Sequence, residues 1–197
     1  MINPDIFAAL ILFATVATIT PGPNNLMVMA SGANFGLVRT VPHIFGIAGG
    51  FAAMILLVSL GLGRIFAVWP LTETILTIAT AIFLLYLAWK IATAAAPRRA
   101  TATGRPLTIL QAAAFQWVNP KAWAMALSAT SIYVPDRDTS SAVIVAVTFF
   151  AVCFPCVTLW TLTGQELRRF LTTQRRLRAF NWTMATFLLA SMVPALL

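Results

Sequence analysis

The chain has 197 residues, of which 60% are hydrophobic and only 9% charged, with a mean hydropathy of +0.89. A soluble domain of this length carries far more surface charge, so the composition points to an all-α polytopic membrane protein whose spans each need about 20 mostly apolar residues. The formal charge of +8 does not imply a nucleic-acid partner, because no hydrophilic basic domain or RNA-binding motif exists to use it.

The amino terminus, Met1-Ile2-Asn3-Pro4-Asp5, lacks the positive region of a secretory signal, and no convincing cleavage site follows, so the first apolar stretch is expected to stay as a span. That span, Ile6 to Asn34, is interrupted by Thr20-Pro21-Gly22-Pro23-Asn24-Asn25. Proline removes a backbone donor and obstructs the preceding turn, and freed polar groups inside hydrocarbon are tolerated only where protein or a water-filled cavity satisfies them. A helix restarting after Pro21, Gly22 and Pro23 presents unpaired N–H groups and a partial positive charge, which suits a carboxylate. Asn24 and Asn25 add amides able to recognise an ammonium or a polar side chain. The plainer alternative is a short loop with asparagine caps; its place inside a span favours a binding role.

The second span, Val41 to Leu62, holds Gly46 and Gly50 in a G-x-x-x-G spacing that permits close helix packing. His43 stands beside Pro42 at its entrance, and a proton-relay role rests on nothing beyond the usual imidazole chemistry. The third span, Leu71 to Ala95, begins with Glu73 after Pro70, where a helix N-terminus accounts for the acid. Whether His43 or Glu73 takes part in proton coupling stays open.

The fourth span, Leu107 to Tyr133, is interrupted by Asn119-Pro120-Lys121. A lysine at mid-span costs roughly 2.5 to 3.5 kcal/mol on insertion scales, and such residues usually face a cavity or a partner. No acid is available at that depth: Asp5, Asp136 and Asp138 are terminal or in loops, and Glu166 falls in another loop. Lys121 is therefore expected to meet an anionic group of a solute, the alternative being backbone carbonyls freed by Pro120. The fifth span, Ala142 to Gly164, contains Cys153-Phe154-Pro155-Cys156. This C-x-x-C invites a redox reading, but its uniformly apolar setting favours buried packing thiols. From Gln165 to Arg178 the spacing of Leu167, Phe170, Leu171 and Leu177 predicts one helical face lying along the membrane surface. The sixth span runs from Phe180 to Leu197.

Loop charge orients these spans. Arg39, Lys90, Arg98, Arg99, Arg105, Arg168, Arg169, Arg175, Arg176 and Arg178 fall on one side, and only Arg64 and Arg137 on the other. The first side is expected in the cytoplasm, with both termini outside. Three spans per half give residues 1–100 and 101–197 opposite topologies, an inverted repeat within a single membrane domain. Aligning Pro23 with Pro120 also sets Ser31 opposite Ser128. Two breaks in corresponding spans are then the expected place of a transported solute, bound by Pro21, Gly22, Pro23, Asn24, Asn25, Asn119, Pro120 and Lys121. No metal-ligand set, P-loop or cofactor motif is present.

Three motifs, Thr20-Pro21-Gly22-Pro23-Asn24-Asn25 with Ser31-Gly32, then Leu84-Leu85-Tyr86-Leu87-Ala88-Trp89-Lys90, then Asn119-Pro120-Lys121-Ala122, together resemble the lysine-exporter (LysE) family of amino-acid exporters over essentially the whole chain. Ala88 to Thr93 and Phe115-Gln116-Trp117-Val118-Asn119 are similar to the branch that exports cysteine and O-acetylserine. The family's Pro-Gln-Phe after the second broken span is absent, replaced by Tyr133-Val134-Pro135-Asp136, so nothing is transferred to that loop. The resemblance implies efflux from the bacterial cytoplasm across the inner membrane, driven by a proton or other ion gradient and not by ATP. The expected partners are an amino-acid solute and the lipid bilayer, with homo-oligomerisation open. A membrane thiol oxidoreductase using Cys153 and Cys156 is the rival, and an assembly subunit would leave Lys121 unexplained.

The charge asymmetry has a direct test. A reporter that is active only outside the cytoplasm should work when fused after Leu197, and one active only inside should work at Ala100. A cytoplasmic carboxyl terminus removes the six-span arrangement.

Overall fold

Proline placement and apolar sequence divide the chain into helices, and in a computed structural model every regular element among the described residues is helical. The described residues are 4–69, 71–93, 105–136 and 138–190. Outside them lie Met1 to Asn3, Pro70, Arg98 and Arg99, Arg137, the end of the expected third span and the last part of the sixth; so do the side chains of Phe66, Ala67 and Glu73.

The elements are α1 (Pro4–Ile19), α2 (Pro23–Phe35), α3 (Leu37–Ser59), a 3-10 turn (Leu62–Arg64), α4 (Ile65–Val68), α5 (Leu71–Ala92), α6 (Ile109–Gln116), α7 (Pro120–Tyr133), α8 (Thr139–Leu167) and α9 (Gln174–Ala190). Both expected breaks occur. Pro23 and Pro120 each open a helix at its first position, where a missing N–H would have had no partner anyway. α1 and α2 bend by 58° at their junction. Gly36 ends α2 with φ of 80°, a left-handed conformation that glycine adopts without a Cβ clash, and its N–H bonds the Gly32 carbonyl at 2.9 Å.

α3, the Thr74–Ala92 part of α5, and α8 are each long and apolar enough to cross a membrane, and α1 with α2 passes the same test as a bent pair. The described residues are those of a helical membrane protein. Apolar side chains on its surface, such as Ile78, Ile82 and Leu85 on α5 and Val147 and Leu159 on α8, suit contact with lipid.

α8 is the column against which α1, α2 and α3 pack, while α5 pairs with α9. The α2–α8 crossing brings backbones into contact. A Cβ on Gly32 would lie 2.1 Å from the Thr161 carbonyl oxygen, and one on Gly164 would lie 2.0 Å from that of Met29. Gly46 and Gly50 face α6, where a Cβ would come within 2.5 Å of the Ile109 oxygen and of the Ala113 Cα respectively. Small residues at helix crossings permit this approach, and dispersion over the closed interface rewards it. Leu10, Phe51, Met54 and Phe149 fill the adjoining core.

One expectation is corrected. No continuous helix runs from Gln165 to Arg178: α8 ends at Leu167, a turn follows, and α9 starts at Gln174. Leu171-Thr172-Thr173 breaks the helix because the Thr173 hydroxyl instead accepts from the Arg176 N–H at 3.3 Å and caps α9. Leu177 is consequently buried while Phe170 is exposed. At the other end of α8, Asp138 caps the helix. Its carboxyl is pushed down to about 2 by the Ser140 hydroxyl and the Ser141 N–H, which both donate to it.

Adding a methyl group where backbones already touch overpacks the interface by about 1–3 kcal/mol. Gly32→Ala and Gly164→Ala should each lower the melting temperature of detergent-purified protein, followed by size-exclusion fluorescence. Gly49→Ala should not, because nothing lies within 4 Å of a Cβ there. Equal stability of all three would refute the backbone contact.

Candidate functional site

The first break leaves the carbonyls of its last helical turn without N–H partners, and side chains from three other helices take them. Asn25 of α2 donates to the Thr18 and Thr20 oxygens at 2.8 Å each. Trp160 of α8 donates its indole N–H to the Ile19 oxygen at 3.1 Å. Lys121 of α7 donates from Nζ to the Thr20 oxygen at 2.8 Å, the Thr20 hydroxyl at 2.9 Å and the Pro21 oxygen at 3.3 Å. Such accounting is obligatory where water is scarce.

Lys121 thus reaches across from the second break to the first. It binds carbonyls, as the alternative reading of the sequence had it, but those freed by Pro21 and Pro23 and not by its neighbour Pro120. Gly22 makes the crossing possible, since a Cβ there would lie 2.8 Å from Lys121 Cδ and 3.1 Å from Nζ.

A second bridge runs beside the first. Asn24 Nδ2 donates to Gln116 Oε1 at 2.8 Å, and Gln116 Nε2 returns a bond to Asn24 Oδ1 at 3.2 Å and another to the Ala112 oxygen at 2.9 Å. Gln116 ends α6 and is fully buried, so its amide must be paired. The second break is closed mostly by its neighbours: Asn119 Oδ1 caps α7 by accepting from the Lys121 N–H at 3.1 Å and Trp123 donates to the Trp117 oxygen at 2.9 Å, while the Thr80 hydroxyl of α5 donates to the Val118 oxygen.

Between the bridges lies a cavity of about 360 Å³, its open mouth included, lined by Thr18, Gly22, Pro23, Asn24, Asn25, Gln116, Asn119 and Lys121, with Ile47, Phe51, Met125 and Cys153 as its less polar wall. Among the described residues no carboxylate lines it, and the partners of the Lys121 ammonium are carbonyl and hydroxyl dipoles. Six of the eight residues expected at the site line this cavity. Pro21 and Pro120 stand at its edges, the first through its carbonyl and the second as the first residue of α7. Gly46 and Gly50 lie apart, on the α3–α6 contact.

Sequence reasoning did not assign Gln116, Thr18, Thr20 or Trp160 to the site, although Thr20 and Gln116 stood within its motifs. Gln116 carried a usable signal, an amide three residues before a break within an apolar span; Thr18 acts through its backbone oxygen and Thr20 through its backbone oxygen as well as its hydroxyl, and residue identity does not report a backbone oxygen. Cys153 lines the cavity and Cys156 is buried one turn on; both are free thiols.

The family model described as "LysE type translocator" matches residues 15–193. A protein named cysteine/O-acetylserine efflux protein from Escherichia coli O1:K1 / APEC is 28% identical over an alignment of 176 residues that covers 85% of this chain and 86% of that protein. Its namesake from Escherichia coli (strain K12) is 27% identical over the same shares. No solved structure matches the chain.

Proposed function

The chain belongs to the LysE type translocator family and is a transporter, not an enzyme, and we propose on that premise that it is a secondary exporter of a small neutral amino acid or derivative from the bacterial cytoplasm. Cysteine and O-acetylserine are the first candidates, since they name the efflux activity of its relatives. The reading takes both halves of the chain as inverted three-span repeats in the inner membrane, termini outside, rocking about the breaks.

One observation carries it: the Lys121 ammonium lies on the cavity wall against the Thr20 and Pro21 carbonyls, with no carboxylate among the described residues lining the cavity. A zwitterion fits into that contact by exchange. Its carboxylate takes Nζ from the carbonyls, strengthened by charge, and its ammonium takes the carbonyls that Nζ leaves. The start of α2 adds N–H groups and positive potential for the carboxylate, and the Asn24–Gln116 amides offer the solute's side chain a donor and an acceptor. Because Lys121 ties α7 to the α1–α2 junction, the exchange replaces a direct bridge between the halves by one that passes through the solute. Neutral side chains are favoured, since a second cation meets Lys121 and no acid in the cavity compensates it. The thiols of Cys153 and Cys156 act here as buried wall and packing groups.

The test uses reconstituted vesicles and counterflow of labelled L-cysteine and O-acetyl-L-serine. Wild type should exchange one or both. Lys121→Met, which removes a costly intramembrane charge, should insert normally but transport more than about tenfold more slowly, equivalent to about 1.4 kcal/mol of lost solute interaction. Cys153→Ser with Cys156→Ser should keep most of the activity. Wild-type rates in Lys121→Met would remove the carboxylate contact.

A further inference from the structure

We infer that the protein holds a second solute station at the far end of α2, where an amino-acid zwitterion is captured on the arginine-rich side before it reaches the breaks. This rests on the transport reading above. The place is a separate cavity of about 640 Å³, mouth included, between α2, α3, α5 and the segment leading into α6. Its polar lining consists of Ser31, Asn34, His43, Lys90 and Arg105, set into apolar walls.

Two of these groups are buried and unfinished. His43 is 2% exposed and neither ring nitrogen has a hydrogen-bond partner among the described residues; Asn34 is 4% exposed and its Oδ1 has none either. Asn34 Nδ2 is already committed to the Ala30 oxygen at 2.8 Å and Asn181 Oδ1 at 3.1 Å, and Ser31 shares its hydroxyl with Thr40 at 2.8 Å. Buried polar atoms are almost always paired, so unpaired ones on residues that line a cavity mark a place for a ligand. What remains on the floor is a carboxamide oxygen that accepts and, in a neutral imidazole, one ring nitrogen that accepts beside one N–H that donates.

The rim has the opposite chemistry. Lys90 and Arg105 line the cavity, Lys90 with Nζ 5.7 Å from the centroid of the Tyr86 ring, and among the described residues no carboxylate lines it. A ligand with an anionic end towards the rim, donors towards the floor and a small body between them matches all three layers, and an amino-acid zwitterion has that form. Asn34 lies ten residues along α2 from Asn24, about 15 Å at 1.5 Å per residue. One small amino acid does not span that distance, so the two cavities are successive stations. The anionic headgroup of a phospholipid shares the chemistry of the rim, and the test separates it.

Leu107 lines the cavity wall. In a Cys153→Ala, Cys156→Ala background, Leu107→Cys should react with a maleimide, and O-acetyl-L-serine should slow that reaction at least fivefold in vesicles of phosphatidylcholine alone. Adding Lys90→Gln and Arg105→Gln should abolish the protection, while Lys121→Met should leave it intact. Absence of protection, or protection that survives loss of both cations, overturns the station. Protection by phosphatidylglycerol in place of the solute assigns the cavity to lipid and also overturns it. Counterflow is read separately on wild-type vesicles: protection of Leu107→Cys without wild-type counterflow upholds the station and refutes export, and wild-type counterflow without protection does the reverse.

Discussion

The contact between Lys121 Nζ and the Thr20 and Pro21 carbonyls organises the centre of this protein. It answers two costs at once. Breaking α1 from α2 frees carbonyls that an apolar interior does not solvate, and Lys121 brings in a charge that such an interior does not tolerate. Each problem is the other's remedy, and the remedy ties residues 100 and 101 positions apart in sequence. Dipoles screen the ammonium without cancelling its charge, so the contact is stable yet open to replacement by a stronger partner. A salt bridge in the same place would hold the charge too well to exchange it.

Around this contact the glycine crossings set the geometry. Gly32 and Gly164 draw α2 onto α8 until backbones touch, and Gly46 and Gly50 draw α3 onto α6. These crossings hold α2 with its start at one cavity and its end at the other, and they place Trp160 where its indole reaches the Ile19 oxygen. Gly22 serves a different end, leaving space for the lysine stem.

Much of this was legible in the sequence because proline acts locally. Pro23 and Pro120 announce helix starts wherever they stand, the G-x-x-x-G spacing marks α3 as a packing helix, and an unpaired mid-span lysine announces a cavity. The partners were not legible. That Lys121 meets the other break's carbonyls, or that Asn24 pairs with Gln116, depends on tertiary placement across about half the chain. Amphipathic spacing misled between Gln165 and Arg178, where a threonine cap overrides a periodic apolar pattern. The two-repeat arrangement is a matter of span count and charge, and it joins the proposal on those grounds.

The central claim is that a solute carboxylate replaces the Thr20 and Pro21 carbonyls on Lys121. It is tested most directly by competition in wild-type vesicles between a transported amino acid and its own α-amide, which keeps the ammonium and side chain but lacks the anion. The account predicts that the unlabelled parent suppresses counterflow of the labelled amino acid, while the amide needs at least about tenfold higher concentration for the same effect, the loss expected for a charge-assisted hydrogen bond. Equal competition by amide and parent would contradict it and leave Lys121 as a structural clamp between the two breaks.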